Sequence, residues 1–193
     1  LKPFYRNNML KEKRFCNRRR EGTMDLKKIY EKMRELLPEN QIKINEPMKE
    51  HTSFRIGGPA DIMVLPTNIQ QVTNIVKFCR ENHIPFFVMG NGTNLLVKDE
   101  GIRGVVMKLA QNFNDVLINN NIMKCKAGVP LSMAAKIALE NSLSGLEFAH
   151  GIPGTIGGAA VMNAGAYDGE MADVVRTVTV MDIYGNISKM EKS

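Results

Sequence analysis

The sequence of 193 residues contains no Trp, three Cys and three His, and it lacks any apolar run long enough to cross a membrane. Cys16, Cys79 and Cys125 lie far apart, so the sequence contains neither a disulfide framework nor the ligand spacing of a metal site. We therefore predict a protein that binds no metal ion and no membrane and works in a reducing cytoplasm.

Basic residues exceed acidic residues by six, but the excess is confined to residues 1–23. That segment contains eight Lys or Arg and two Glu, and the rest of the chain is neutral, with 18 residues of each sign. A folded nucleic-acid-binding domain carries its basic excess on the fold itself. The neutral body therefore predicts no nucleic-acid partner.

The basic segment 1–23 has three interpretations. It is similar to arms that bind RNA or lipid headgroups, and it is a poor match to a targeting peptide because it carries acidic residues and no clean amphipathic pattern. In the third interpretation, which we favour, the segment is not native, because Arg18–Gly22 just before Met24 matches a translated ribosome-binding site. This interpretation predicts that residues 1–23 are disordered or poorly packed.

Helix and strand signals alternate in residues 24–110, which predicts a first subdomain with a parallel sheet. Apolar residues at helical spacing predict helices at 25–37 and 68–82. Apolar runs flank the second helix, and this βαβ order is typical of parallel strands. The predicted strands of this subdomain are 42–44, 61–65, 85–89 and 104–109.

Residues 111–193 have a different pattern, which predicts a second, α+β subdomain with antiparallel strands. Asn119-Asn120 lies between two alternating segments, and Tyr184-Gly185-Asn186 lies between two more, so both are hairpin signals. An Ala-rich helix is predicted at 131–141. We place the boundary between the two subdomains near residue 110.

The loop Gly90–Asn94, with the sequence GNGTN, directly follows the strand predicted at 85–89. Glycines leave backbone N–H groups open to a ligand, and the Thr and Asn side chains add donors, so the loop suits an anion. It is neither a Rossmann fingerprint nor a P-loop, because Leu95-Leu96-Val97 follows instead of a long helix or a Lys-Ser/Thr pair. The alternative is a plain turn between strands.

A second segment, Gly151–Glu170, is dense in Gly and Ala and contains no Lys or Arg. Its bare backbone amides suit a phosphate or a flavin carbonyl, and Asn163 can add a side-chain amide. Together with the Gly90–Asn94 loop, the segment predicts a dinucleotide-sized ligand. The alternative is close packing of helices or strands on small residues.

Several other polar residues have both a functional and a structural interpretation. Arg55 suits a phosphate or carboxylate partner, or else an ordinary surface ion pair. His150 either faces the ligand or lies on the surface. Tyr167, Asp168 and Glu170 are candidates for acid–base chemistry, and Glu170 is also placed to cap a helix or strand end.

Four motifs occur in the order and at the spacing of a known enzyme family. They are HTSFRIGGPAD at His51–Asp61, GNGTNLLV at Gly90–Val97, AGVPLS at Ala127–Ser132 and GLEFAHGIPGTIGGAAVMNAGAYDGE at Gly145–Glu170. With these motifs the chain resembles the UDP-N-acetylenolpyruvoylglucosamine reductase family, the FAD enzymes of bacterial peptidoglycan synthesis. The resemblance covers the chain from about Met24 to its last residue.

The resemblance implies an α+β fold of the vanillyl-alcohol-oxidase (PCMH) type, with two α+β subdomains and FAD between them. It implies that the Gly90–Asn94 loop contacts the pyrophosphate and that the other small-residue segments line the flavin and its phosphates. With Arg55 added from its chemistry, the predicted cofactor-binding residues are Arg55, Gly90, Asn91, Gly92, Thr93, Asn94, Ala127, Gly128, Pro153, Gly154, Thr155, Gly157, Gly158, Asn163, Gly165 and Ala166.

The resemblance also implies a reaction. In the family, NADPH reduces the flavin, and the flavin N5 passes a hydride to UDP-N-acetylglucosamine enolpyruvate, which becomes UDP-N-acetylmuramate. The step belongs to peptidoglycan synthesis, and through it to cell-wall biogenesis, cell shape, the cell cycle and cell division. The implied partner is the UDP-sugar substrate, and we expect a monomeric cytoplasmic enzyme.

The chain departs from the family pattern in its catalytic residues. The family Arg belongs to a Tyr-Arg-x-Ser motif expected shortly after Ser193, and the proton-donating Ser and the catalytic Glu lie in a third, substrate-binding domain. The one Tyr-Arg pair in this sequence is Tyr5-Arg6 in the basic segment. We therefore predict an FAD-binding fragment that cannot turn over substrate. The open alternatives are another FAD oxidoreductase of the same fold and a non-catalytic FAD- or nucleotide-binding module.

Overall fold

A computed structural model describes residues 25–192, and the basic segment 1–23 with its predicted disorder lies outside the described residues. The helices are α1 (Leu26–Leu36), α2 (Ile69–Glu81), α3 (Leu131–Glu140), α4 (Ile156–Met162) and α5 (Met171–Val174). The strands are β1 (Ile42–Pro47), β2 (Pro59–Val64), β3 (Phe86–Met89), β4 (Ile102–Lys108), β5 (Val116–Asn119), β6 (Ile122–Cys125), β7 (Gly165–Ala166), β8 (Gly169–Glu170), β9 (Thr177–Met181) and β10 (Ile187–Glu191). No helix within residues 25–192 has both the length and the hydropathy needed to cross a membrane.

Four strands form the main sheet in the order β1-β2-β4-β3. β2, β4 and β3 run parallel, which confirms the parallel sheet predicted from the βαβ order, and β1 is antiparallel to β2. β4 lies between the two strands that flank α2. The carboxyl ends of β3 and β4 therefore lie side by side, with Met89 paired to Lys108.

The predicted helices and strands of the first subdomain form with small changes in length. α2 begins where the side chain of Asn68 accepts a hydrogen bond from the backbone N–H of Gln71 at 3.0 Å, which satisfies a donor in the first turn. The strand predicted at 42–44 was too short. It extends to Pro47, because its antiparallel pairing with β2 continues as far as Pro59.

The central strands β2 and β4 are buried on both faces, as expected for parallel strands covered on each side. On one face, Ile62 and Met107 pack against α1 and α2. On the other face, Met63 and Val106 pack with Met48, which lies in the short 3-10 turn Met48–His51. This second face carries the residues that reach the candidate site.

After residue 110 the strands pair as antiparallel hairpins, which confirms the antiparallel strands predicted there. The two predicted hairpins are β5–β6 and β9–β10, and a third, β7–β8, was not predicted. A separate apolar cluster joins α3, α4 and α5 through Leu131, Ala159 and Met171. The division of the chain into subdomains at residue 110 stays a prediction.

The β9–β10 hairpin lies against α2 of the main sheet. The guanidinium of Arg80 lies 5.1 Å from the ring centroid of Tyr184. Met181 packs against the apolar cluster between the sheet and its helices. Residues on both sides of the predicted boundary therefore share one core.

Replacing Asp61 with Ala is expected to lower the free energy of unfolding by about 2–3 kcal/mol, because it leaves buried donors without an acceptor. Asp61 is buried in β2, where Oδ2 accepts from the N–H of Gly104 at 2.9 Å and Oδ1 pairs with Arg103 at 2.5 Å. Urea unfolding measures the change. Asp99→Ala, at an exposed position, is the control. An Asp61→Ala variant as stable as this control would contradict the prediction.

Candidate functional site

The two Gly-dense segments meet in the fold. A Cβ atom at Gly90 would lie 2.2 Å from Oγ1 of Thr155, so the Gly90–Asn94 loop is in direct contact with the start of α4. Thr155 is 2% exposed, and its Oγ1 accepts from the backbone N–H of Gly158 at 3.4 Å. The two segments that the sequence predicted to share one ligand are therefore adjacent.

The Gly90–Asn94 loop lies at the carboxyl end of β3, where open α/β sheets bind ligands. Within residues 25–192, no backbone N–H from Asn91 to Asn94 donates to a protein acceptor. Gly92 has φ +67°, and a Cβ atom there would lie 2.1 Å from the carbonyl oxygen of His51. A side chain at this position would collide with the main chain of His51, so only Gly fits there.

The segment after the Met48–His51 turn supports this loop and lines the space beside it. The N–H of Ser53 donates to the carbonyl oxygen of Gly92 at 3.3 Å. Arg55 is exposed, has φ +54° and lines an open cavity of about 370 Å³ together with Asn91. The structure therefore brings Arg55 to the same cavity as the loop, as its predicted role requires.

The second Gly-dense segment uses its backbone differently from the loop. The N–H groups of Ile156 and Gly157 donate to the carbonyl oxygens of Val129 and Ala127, each at 2.8 Å. A Cβ atom at Gly157 would lie 2.7 Å from Cβ of Ala127. At these positions the small residues permit close packing, which was the alternative interpretation, and their amides are not free for a ligand.

The remaining predicted cofactor-binding residues of this segment lie on both sides of α4. Pro153 and Gly154 precede Thr155, and the N–H of Leu131 donates to the carbonyl oxygen of Gly154 at 3.0 Å. Gly158 lies in the first turn of α4. The carbonyl oxygen of Ala127 accepts from the N–H of Gly157 in this turn, whereas the N–H of Gly128 donates to the carbonyl oxygen of Phe113.

Asn163, Gly165 and Ala166 follow α4 and line a second open cavity of about 590 Å³. Asn163 ends α4 in the left-handed conformation, and its Oδ1 accepts from the N–H of Ala172 at 2.8 Å. Gly165 and Ala166 form β7 and pair with β8. The backbone predicted to be open is thus partly engaged in a hairpin, and the cofactor contacts of these three residues stay a prediction.

The candidates for acid–base chemistry have structural roles or exposed positions. Glu170 precedes α5, and its N–H donates to Oδ2 of Asp173 at 2.9 Å, so the capping interpretation describes it. Tyr167 and Asp168 form the β7–β8 turn with φ +50° and +63°. Tyr167 is 91% exposed, and His150 is also exposed.

A polar network beside the Gly90–Asn94 loop was not predicted from the sequence. Nζ of Lys108 lies 3.0 Å from Nδ1 of His51. Nε2 of His51 lies 2.7 Å from Oε1 of Glu46, which also accepts from Lys43 at 2.7 Å. The sequence signal that could have revealed Lys108 is the alternation of side chains along β4, which puts Lys108 on the same buried face as Val106.

Burial and charge shift the pKa values of two groups in this network. Burial lowers the pKa of Lys108, which is 8% exposed, and the charge of nearby Lys43 lowers it further. Burial acts to raise the pKa of Glu46, but hydrogen bonds from Lys43 and His51 outweigh it, so that pKa is lowered. An anion entering the cavity would stabilise the charged form of Lys108.

These residues fit the diphosphate of a dinucleotide. The cavity beside the Gly90–Asn94 loop combines free N–H groups with the guanidinium of Arg55 and the ammonium of Lys108. Phosphate oxygens accept hydrogen bonds and carry negative charge, so donors and cations are the groups that hold them.

A sequence model of the FAD binding domain family matches residues 60–191. The chain belongs to the FAD-binding domain family. The match runs from β2 to β10, so it includes the Gly90–Asn94 loop and α4.

Named relatives of this FAD-binding chain confirm the resemblance based on the four motifs. It is 50% identical over 167 residues to the UDP-N-acetylenolpyruvoylglucosamine reductase of Clostridioides difficile (strain 630), with 86% of the chain and 55% of the relative covered. The crystal structure of the reductase from Thermus caldophilus is 33% identical, with a TM-score of 0.64 over 78% of this chain and 52% of that one. The FAD-binding chain thus spans about half the length of these relatives.

A more distant structure confirms the predicted fold of this FAD-binding chain. The p-cresol methylhydroxylase crystallised with substrate bound has a TM-score of 0.63 at 19% identity, covering 88% of this chain and 36% of that one. At this identity the likeness concerns the fold alone. It confirms the α+β fold of the vanillyl-alcohol-oxidase (PCMH) type.

Proposed function

We propose that the chain binds FAD where the Gly90–Asn94 loop meets Thr155 and that, as part of a longer protein, it reduces UDP-N-acetylglucosamine enolpyruvate to UDP-N-acetylmuramate with NADPH. The observation that carries the proposal is the contact of the two Gly-dense segments beside free N–H groups and two cations. Family membership and the 50% identity to a named reductase support the cofactor and the reaction.

The chain's own contribution is binding and orientation. When bound, FAD supplies the hydride-transfer chemistry, which the protein directs rather than performs. The N–H groups of Asn91–Asn94 would hold phosphate oxygens, and Arg55 would neutralise part of their charge. The packed junction of α4 with Ala127–Val129 provides a rigid wall beside them, which fixes the orientation of a bound cofactor.

The proposal places the UDP-sugar as substrate, peptidoglycan synthesis as the pathway and the cytoplasm as the location. It also holds that the 193-residue chain is inactive by itself, because the Tyr-Arg-x-Ser motif of the family does not occur in it. In a reductase, proton donation and stabilisation of the developing enolate need such groups near the reacting carbon.

Titration of the flavin-free chain with FAD, followed by flavin fluorescence, tests the binding part of the proposal. We expect saturable binding of one FAD per chain. NADPH and the enolpyruvyl substrate are then added, and we expect no substrate-dependent oxidation of NADPH. A chain that binds no FAD would overturn the proposed function, whereas turnover at the rate of an intact reductase would overturn only the proposed inactivity.

A further inference from the structure

Lys108 is one of the two cations at this cavity, but the function proposed above assigns it no contact of its own with the cofactor. It is the last residue of β4, and its strand partner Met89 immediately precedes the Gly90–Asn94 loop. It lines the cavity together with Asn91, Arg55 and Ser53. A buried ammonium is costly unless it is hydrogen-bonded or paired with a negative charge, so its position calls for a partner.

The Met48–His51 turn and β1 hold the Lys108 ammonium in place. Because a charged Lys is only a donor, Nδ1 of His51 must accept its hydrogen bond, which leaves the ring proton on Nε2. That proton is donated to Oε1 of Glu46. The orientation of the imidazole is thus fixed from both sides, and it fixes where one N–H of Lys108 points.

The network leaves positive charge and free donors on the cavity side. Lys108 has three N–H groups, and within residues 25–192 its one hydrogen-bond partner is His51. Glu46 bonds to Lys43 and to His51, and no carboxylate within residues 25–192 forms an ion pair with Lys108. Arg55 adds a cation to the same cavity, and Glu50 lines it as well. Two N–H groups of Lys108 thus remain for an anion.

The Gly90–Asn94 loop and the network are held to each other. The carbonyl oxygen of His51 occupies the space that a side chain at Gly92 would need, 2.1 Å from the Cβ position. The N–H of Ser53 donates to the carbonyl oxygen of Gly92. The residue that orients Lys108 therefore also supports the loop whose N–H groups are free.

We propose that Lys108 binds the diphosphate of the dinucleotide together with the free N–H groups of the Gly90–Asn94 loop, and that His51 is its positioning residue. The inference rests on the proposed binding of FAD and adds a contact that differs from the main-chain donors of the loop. It identifies the ligand chemistry as a diphosphate, since a single fixed ammonium beside several N–H groups can serve oxygens of both phosphates.

Three flavins that differ in phosphate content test this inference. Dissociation constants for FAD, FMN and riboflavin are measured by flavin fluorescence on the full 193-residue chain and on Lys108→Met, whose side chain has similar length and no charge. We expect FAD to bind about 10- to 100-fold more weakly to the variant, since a hydrogen bond to a charged group is lost. Riboflavin, without phosphate, is expected to bind equally to both chains.

The control is Lys49→Met, which removes one positive charge from an exposed position in the Met48–His51 turn. It is expected to leave the dissociation constant for FAD within about twofold, because exposed charges are screened. Lys108→Gln, which can still hydrogen-bond to His51, and His51→Gln provide second tests. We expect each variant to weaken the binding of FAD more than the binding of riboflavin.

The outcomes distinguish a failure of this inference from a failure of the proposed FAD binding. A wild-type chain that binds no FAD overturns the proposed function and this inference with it. A wild-type chain that binds FAD, with Lys108→Met unchanged, overturns the inference alone. Equal weakening of FAD and riboflavin by the Lys108 variants would show a purely structural role and would also overturn it. Weaker binding of FAD to the Lys108 variants, with the binding of riboflavin unchanged, supports the inference.

Discussion

Replacing Gly128 with Ala is expected to lower the free energy of unfolding by about 3 kcal/mol or more, because the added methyl group meets main-chain atoms on two sides. A Cβ atom there would lie 2.1 Å from the carbonyl oxygen of Leu109 and 2.4 Å from that of Phe113. The N–H of Gly128 also donates to Phe113 at 2.8 Å. No side-chain rotation can relieve these contacts, so the backbone must move.

The loss matters because of where Gly128 lies. It lies in the turn Ala127–Val129, where its N–H bonds to Phe113 while its two neighbours in the chain bond to the start of α4. A typical domain is stable by about 5–15 kcal/mol, so a loss of this size is a large share of the total. Urea unfolding followed by circular dichroism measures it, and failure of the variant to fold agrees with the same expectation.

Gly154→Ala is the matched control for Gly128→Ala. Its nearest neighbour outside the adjacent residues would be Cδ1 of Leu131 at 3.6 Å, which is ordinary van der Waals contact. We expect its stability to stay within about 0.5 kcal/mol of the wild type, the range of substitutions that meet no special constraint. If Gly128→Ala is as stable as this control, the packing of Ala127–Val129 described above is wrong.

Replacing Gly90 with Ala is expected to weaken FAD binding by about tenfold or more and to lower the free energy of unfolding by about 1–3 kcal/mol. The new Cβ atom would lie 2.2 Å from Oγ1 and 3.1 Å from Cγ2 of Thr155. Thr155 is buried and caps α4, so it has little freedom to move away. The two Gly-dense segments must therefore separate, which displaces the donors proposed to hold the cofactor.

A double-mutant cycle with Thr155→Ala shows whether this contact is the cause. Thr155→Ala alone is expected to lower the free energy of unfolding by about 1 kcal/mol, because α4 loses its N-cap side chain. It also removes the two nearest atoms, so the double variant is expected to be more stable than the sum of the single changes predicts. Additivity within about 0.5 kcal/mol would show that Gly90 and Thr155 are not coupled and would contradict the contact.

The two predictions concern different parts of one arrangement. The first tests whether Gly128 packs against Leu109 and Phe113, and the second tests whether the start of α4 touches the Gly90–Asn94 loop. The Lys108 experiments then ask which side chains meet the ligand. A cofactor whose binding depends on the loop, on the start of α4 and on Lys108 is expected to be a dinucleotide, since the loop alone would satisfy a single phosphate.

The position of the Gly90–Asn94 loop was predicted correctly from the sequence, but the hydrogen bonding of the second Gly-dense segment was not. The Gly90–Asn94 loop was placed correctly after β3, because an apolar run followed by small residues is a local pattern. The amides of Ile156 and Gly157 were expected to be open, but they bond to Val129 and Ala127. Sequence spacing could not show this, because the partner segment lies more than twenty residues earlier.

The sequence by itself determined helices α1, α2 and α3, most strands, the parallel order around α2 and the resemblance to a family of FAD enzymes, whereas α4 and α5 were not predicted. Each follows from periodicity, turn residues or motifs within short segments, which are properties of neighbouring residues. Only the tertiary structure decided that Gly90 touches Thr155 and that Glu46, His51 and Lys108 form one network. Such contacts join residues distant in the chain, and they depend on strand order and packing that no local pattern specifies.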